Sequence, residues 1–376
     1  MQLSISKVNI NPTFITDNVG YLNTYTTENT KDDLYLSYLR IKDDTHDIVI
    51  INADLLGIDH SLQPIIKKHL RNVLGQQIKV ILSTTHNHYA PSMISLFNLK
   101  EINNEYLELF LSKVDLAIKT STNYDGNFEV SYKSVNDVGI GNTRIQTKEE
   151  IIAGVLSIYL NGQRLVNLLN YNCHPTILPT DFGSFSTDYP GVLIKQLEDN
   201  YPNEHFLFLQ GAAGDISTRK VRIEQSHKEM IRLSQQMYEL FDTLLEDSNE
   251  KHRMTIDYVN YPIEVINKLS VINDIPDTVS KEIRFKLSQA LDTYPTTVNI
   301  TVVSLSMFNL IFNPWELFSS YNNYINRSNS MLVSYSQGYS GYLTSLNYVS
   351  PTYEYFIEYN DDTVKKKVIE VISKYE

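Results

Sequence analysis

Four apolar runs in this chain each break off into a cluster of polar, chemically reactive residues. That repeated pattern constrains the fold more than any other feature. The run 78–83 leads into Thr84-Thr85-His86-Asn87-His88-Tyr89-Ala90-Pro91, and 165–169 into Asn170-Tyr171-Asn172-Cys173-His174-Pro175-Thr176. The run 206–209 leads into Gln210-Gly211-Ala212-Ala213-Gly214-Asp215-Ile216-Ser217, and 307–312 into Asn313-Pro314-Trp315-Glu316. Short apolar runs bounded by turn residues read as buried strands. A rigid strand fixes the first residues of the loop that follows it, so loops of this kind carry function.

Helical patterns alternate with these runs. The spacing predicts helices over 61–75, 104–120, 189–201, 226–247, 280–294 and 363–375, with Gly75 as a stop for the first. Strands are expected over 34–41, 47–58 and 255–266, and 299–312 reads as one long strand or two paired ones. Asn161-Gly162 between two apolar runs is a hairpin signal, because tight hairpin turns need positive φ. Alternating elements plus an antiparallel hairpin predict an α/β chain of mixed β-sheets flanked by helices. No repeat, low-complexity block or linker interrupts the 376 residues, so 1–376 reads as one domain, with 245–300 as a peripheral insertion.

Apolar residues make up 42%, enough for a large core. Lys and Arg total 32 against 44 Asp and Glu, a net charge of −12 that disfavours nucleic acid and anionic membrane as partners. No stretch of about 18 apolar residues suggests a membrane span, and the first residues lack the basic and apolar regions of a secretory leader. The expected location is cytoplasmic. Cys173 is the only cysteine, which excludes an intramolecular disulfide and a cysteine-based zinc cluster. The sequence carries no signal of oligomeric state.

Each reactive residue has a plain reading and a chemical one. His86 and His88 could be a hydrogen-bonded pair in a loop. In an extended segment they would instead point to one side, one toward a metal and the other toward a substrate. His174 before a proline could be a turn residue, and Glu316 the first residue of a helix. Together, three of nine histidines at strand ends and a carboxylate at a fourth match the donor set of a catalytic zinc site with an open position. The small-residue turn 211–217 could be a strand-to-helix turn capped by Asp215 or Ser217. Its backbone N–H groups could equally face a ligand. It lacks the lysine of a phosphate loop, and no G-x-S-x-G elbow occurs.

These segments, in this order, resemble the catalytic domain of the neutral/alkaline ceramidase family. Thr85-His86-Asn87-His88-Tyr89-Ala90-Pro91 is similar to its THTHSGP-like motif, His174 to a later histidine, and Ser186-Thr187-Asp188 to an S-x-D segment. Gly214-Asp215-Ile216-Ser217 is similar to its GDxS motif, Pro314-Trp315-Glu316 to PGE, and Tyr339-Ser340-Gly341-Tyr342-Leu343-Thr344-Ser345 to YxxYxTT. The resemblance implies a zinc-hydrolase-like site at the strand C-terminal ends, with Zn2+ held by His86, His174, Glu316 and Tyr342. It implies His88 on the substrate side, Ser217 beside the scissile amide as nucleophile or orienting donor, Asp215 catalytic in the same segment, and Arg144 lining the site. The expected reaction is hydrolysis of a small-molecule N-acyl amide.

Two departures bear on the substrate. Tyr89-Ala90 replaces Ser-Gly, and Thr218-Arg219 replaces Pro-Asn, which brings bulk and a cation toward the site. An arginine there suits an acidic group on the substrate better than a plain lipid tail. Two other readings stay open: a hydrolase of an ester or small peptide-like amide, and a binding protein with a degenerate metal site.

Overall fold

The computed structural model describes residues 1–21, 25–95, 101–136, 139–145, 151–246, 250–265, 294–348, 352–356 and 358–376. Its first sheet runs, edge to edge, Lys79–Thr84, Asp47–Ala53, Tyr35–Lys42, Gln2–Asn9 and Thr122–Asp125. Only the first pair is parallel, and helix Gln63–Leu74 makes that crossover. The second sheet runs His205–Gln210, Gln163–Tyr171, Ile152–Leu160, Phe128–Asn136 and His252–Arg253, again with one parallel pair. A third runs Ile256–Glu264, Thr297–Leu305, Phe308–Phe312 and Ser330–Val333. The fold is thus mixed α/β.

Side-chain alternation explains the layering. Along Asp47–Ala53, Ile48 and Ile50 join a core cluster shared by all three sheets. Val49, Ile51 and Ala53 join another, with Ile66, Leu70, Phe110 and Val114 of two outer helices. Along Ile152–Leu160, Leu156 and Ile158 face the shared core. Ala153 and Val155 pack with Leu193, Leu197, Leu233 and Met237 of helices Asp188–Asn200 and His227–Glu246. A strand buried on both faces needs apolar residues at both parities, which is why these strands read as continuous apolar runs. The order is helix, sheet, sheet, helix. Helix Asp362–Ile372 covers the third sheet through Val364 and Val368.

Local signals behave as their chemistry dictates. Asn103 caps helix Asn104–Thr120, its side chain accepting from the Tyr106 N–H at 2.9 Å. Asn161 and Gly162 sit at φ 52° and 79°, the conformation of a type I′ hairpin turn. The expected strand 47–58 stops at Ala53, and 54–56 turns beneath the 85–87 loop: Thr85 N donates to Ala53 O and Asn87 N to Leu55 O. The run 299–312 is two strands folded back at Ser306. Helix 280–294 falls almost wholly on 266–293, which lies outside the described residues. Ile256–Glu264 pairs antiparallel with Thr297–Leu305 in register from Ile256↔Leu305 to Glu264↔Thr297. No described helix is long and apolar enough to cross a membrane.

The strand ends of the sheets are tied together around one point. Ser336 bridges to Ser83, Gln337 N donates to Leu82 O, and Ser334 N to Gln210 O. Asn170 Nδ2 donates to both Leu209 O and Leu332 O.

Candidate metal centre and its cavity

His86, His88, His174 and Glu316 converge at these strand ends. His88 Nε2 lies 3.2 Å from His86 Nε2. Glu316 Oε2 lies 3.4 Å from His86 Nε2 and 3.0 Å from His174 Nε2. His86 has φ 58°, in the left-handed region that a residue with a β-carbon avoids. The two imidazoles therefore meet through a strained turn and not through the alternation of an extended segment. Strain of this kind concentrates at functional sites. His86 stacks on Tyr335, with ring centroids 3.8 Å apart.

Every ring has its other nitrogen fixed by main chain. Nδ1 of His86 donates to Leu56 O at 3.0 Å, that of His88 to Gly20 O at 2.7 Å, and that of His174 to Ala213 O at 2.7 Å. A carbonyl oxygen only accepts, so each Nδ1 carries a hydrogen and an unprotonated ring turns its Nε2 lone pair inward. Burial, and after it the neighbouring His86 and His174, holds His88 well below the ordinary histidine value. Burial pushes His174 down to about 4, although Glu316 opposes it. Burial works against the Glu316 carboxylate too, yet His86 and His174 hold it well below the usual range.

Lone pairs aimed at one another with a carboxylate among them repel unless a cation sits between them. The three histidines' donor atoms all lie within 4.8 Å of one another. Donors about 2.0–2.1 Å from a tetrahedral zinc stand about 3.3–3.4 Å apart, close to the 3.0–3.4 Å spacings above. The residues fit a metal ion.

A cavity of about 670 Å3 opens over the cluster, within the range of small-molecule sites. Six of the eight residues singled out in the sequence line it: His86, His88, Arg144, His174, Glu316 and Tyr342. Asp215 and Ser217 do not. The Asp215 carboxylate accepts from Ser319 N at 2.6 Å and Ser319 Oγ at 2.9 Å. Ser217 is buried in the two-residue strand Ile216–Ser217, paired with Asn142–Thr143 just before Arg144. Tyr89 also stands back from the cavity: it is fully buried and bonded to Leu178 O and the Tyr21 hydroxyl. Tyr21 is the ring that faces the cavity.

Glu316 opens a two-residue strand that pairs in parallel with Tyr342–Leu343. The Tyr339 hydroxyl donates to Glu316 Oε1, and the Tyr342 hydroxyl lies 3.4 Å from Arg144 Nη2. Arg144 also bonds to Gly214 O and pairs with Glu354 at 3.0 Å. The sequence reading missed Tyr335, Gly20, Tyr21 and Arg222. Tyr335 and Tyr21 were lost among 26 tyrosines. Gly20 and Tyr21 reach the centre only because Asn18 bridges to Pro91 and Val19 N donates to Ala90 O.

Fold and cluster together define the class: a layered α/β domain with a histidine–carboxylate centre that could hold a metal ion. Its whole length superposes on a structure described as "Ceramidase complexed with C2", with TM-score 0.81, 13% identity and 74% of that chain covered. It superposes equally on a crystal structure of neutral ceramidase from Pseudomonas aeruginosa, with TM-score 0.80, 13% identity and 73% covered. The chain has the neutral ceramidase fold. No protein-family profile and no curated protein sequence matches it.

Proposed function

We propose that this chain is a zinc-dependent hydrolase that cleaves an N-acyl amide bond. The observation that carries this reading is the convergence of three main-chain-anchored imidazoles and Glu316 at the floor of a cavity. The fold shared with the ceramidases supports it. His86, His174 and Glu316 would hold the ion, with Tyr342 as the fourth contact. When bound, zinc supplies Lewis acidity toward the acyl carbonyl.

The chain's own residues do the rest. Hydrolysis adds one water across the C–N bond: the acyl carbon gains OH and the nitrogen gains H. His88 is neutral at pH 7 and its Nδ1 is committed to Gly20, so Nε2 takes the proton from the attacking water and returns it to the departing nitrogen. Arg144, beside the Tyr342 hydroxyl, faces the charge that develops on the acyl oxygen. Asp215 and Ser217 act through position. Asp215 fixes Ser319 and, through its carbonyl, Arg144 N. The strand holding Ser217 offers the Ile216 carbonyl to His174.

Elemental analysis of purified protein should give one zinc per chain, and chelation should abolish hydrolysis of a panel of N-acyl amides. Full activity after complete metal removal, or no turnover at any acyl length, would refute the proposal. The tyrosines separate in a second experiment. Tyr339→Phe removes a hydrogen bond that orients a ligand, a loss of about 10–100-fold in zinc affinity. Tyr342→Phe should cost more. The reverse order would make Tyr339 the tyrosine of the centre.

A further inference from the structure

We infer that the turn 218–222 forms an anion subsite on the cavity wall, so that the substrate is an N-acyl amino acid: an acyl amide with a carboxylate on its amine side. The inference rests on the amide-hydrolase reading above and narrows its substrate.

Thr218 O accepts from both Val221 N and Arg222 N, at 2.9 and 2.8 Å, so the chain makes one helical turn here. Residues three apart on such a turn share a side, about 5–6 Å apart at Cβ. That places Arg219 and Arg222 together, and both line the cavity. Thr176, Thr180 and Gln225 line it as well. Arg222 Nη1 is held by Thr176 O, which fixes the guanidinium in place.

Neither arginine is paired with a carboxylate among the described residues. Arg40, Arg164 and Arg232 each have one, at 2.6, 2.7 and 2.6 Å. Arg144 has Glu354. In a chain of net charge −12, three of ten arginines line one cavity where Glu316, the only lining carboxylate among the described residues, is held by histidines. A guanidinium presents a planar fork that matches a carboxylate, and two unpaired forks on one side make a site for an anion.

The position selects the amine side. The turn directly follows the strand Ile216–Ser217, whose Ile216 carbonyl anchors both the N–H and the ring of His174. An anion on this turn is therefore placed by the same segment that places His174, as a carboxylate on the amine side of the amide requires. Arg219 is exposed while His86 and His174 are buried, so the subsite lies between the centre and solvent. Hydrolysis there needs no reagent but water: the C–N bond breaks, the acid takes OH and the amino acid takes H.

The test uses the full chain with two probes of nearly equal size, N-dodecanoylglycine and the neutral N-dodecanoylethanolamine. Calorimetry on the metal-free protein reads binding without turnover. The acidic probe should bind more tightly, and its affinity should fall with added salt. The double variant Arg219→Ala/Arg222→Ala should weaken that binding by about tenfold or more, the value of a lost charge-assisted pair. On the zinc-loaded enzyme, the ratio of kcat/KM for acidic over neutral probe should fall by a similar factor. Arg219→Lys/Arg222→Lys should keep part of it, and Arg219→Glu/Arg222→Glu should reverse it. Turnover of the neutral probe with no preference for the acidic one would overturn the subsite and leave the amidase reading standing. Arginine-dependent binding of the acid with no turnover of either probe would do the opposite. Equal affinities and ratios in wild type and the alanine double variant, both with native circular dichroism, would also overturn it.

Discussion

His86→Ala should yield a folded chain without stoichiometric zinc and with acyl-amide hydrolysis reduced by at least about a thousandfold. That factor is several kcal/mol of metal-derived stabilisation, at about 1.4 kcal/mol per tenfold. The variant removes the Nε2 donor that stands 3.2 Å from His88 and 3.4 Å from Glu316. Alanine keeps the β-carbon, so the left-handed strain at 86 is the same in both chains and the loss of metal need not come with loss of fold. Elemental analysis and circular dichroism on the same preparation check both halves. A fully occupied zinc in the folded variant would remove His86 from the centre.

Gly214→Ala should damage the centre although it replaces none of the proposed ligands. A β-carbon at Gly214 would lie 2.6 Å from Glu316 O and 2.9 Å from Leu317 O, and both obstacles are main chain. Gly214 N also donates to Leu317 O at 2.7 Å. The strand carrying Glu316 would have to move, and the paired segment of Tyr342 with it. Overpacking of this kind costs about 1–3 kcal/mol, more where backbone must yield. Displacing a ligand's support weakens metal binding by about 10–100-fold. Thermal unfolding and a zinc titration read the two effects. A variant with wild-type Tm and zinc affinity would show that the 211–217 turn has slack that its contacts do not suggest.

Much of the scaffold was legible because burial writes itself into the sequence. Asn104–Thr120 was readable to the residue from its period. The stop at Ala53 was not, because Leu55, Leu56 and Ile58 are as buried as a strand. They pack under the His86 loop, and apolar burial looks alike in either conformation. The centre was legible where reactive side chains end a strand, as at His86, His174 and Glu316. Tyr335 gave no such signal. Its ring lies on His86 and its buried hydroxyl has no hydrogen-bond partner among the described residues, facts created only by tertiary contact. Arg222 was passed over because it ends no strand. It matters through the turn that brings it beside Arg219.

The anchoring of all three rings by carbonyl oxygens bears on how such a centre tolerates mutation. Every residue type has a carbonyl, so replacing Leu56 or Ala213 leaves the acceptor for His86 or His174 in place. The orientation of the histidines is written in chain path and not in neighbouring side chains. Point changes can accumulate around the centre without turning a ring, while a one-residue insertion near 56 or 213 would misdirect it at once. Gly20 is the exception: a β-carbon there would fall 2.0 Å from the His88 carbonyl oxygen. This loop is free to drift in most of its letters, but not in its length and not in that glycine.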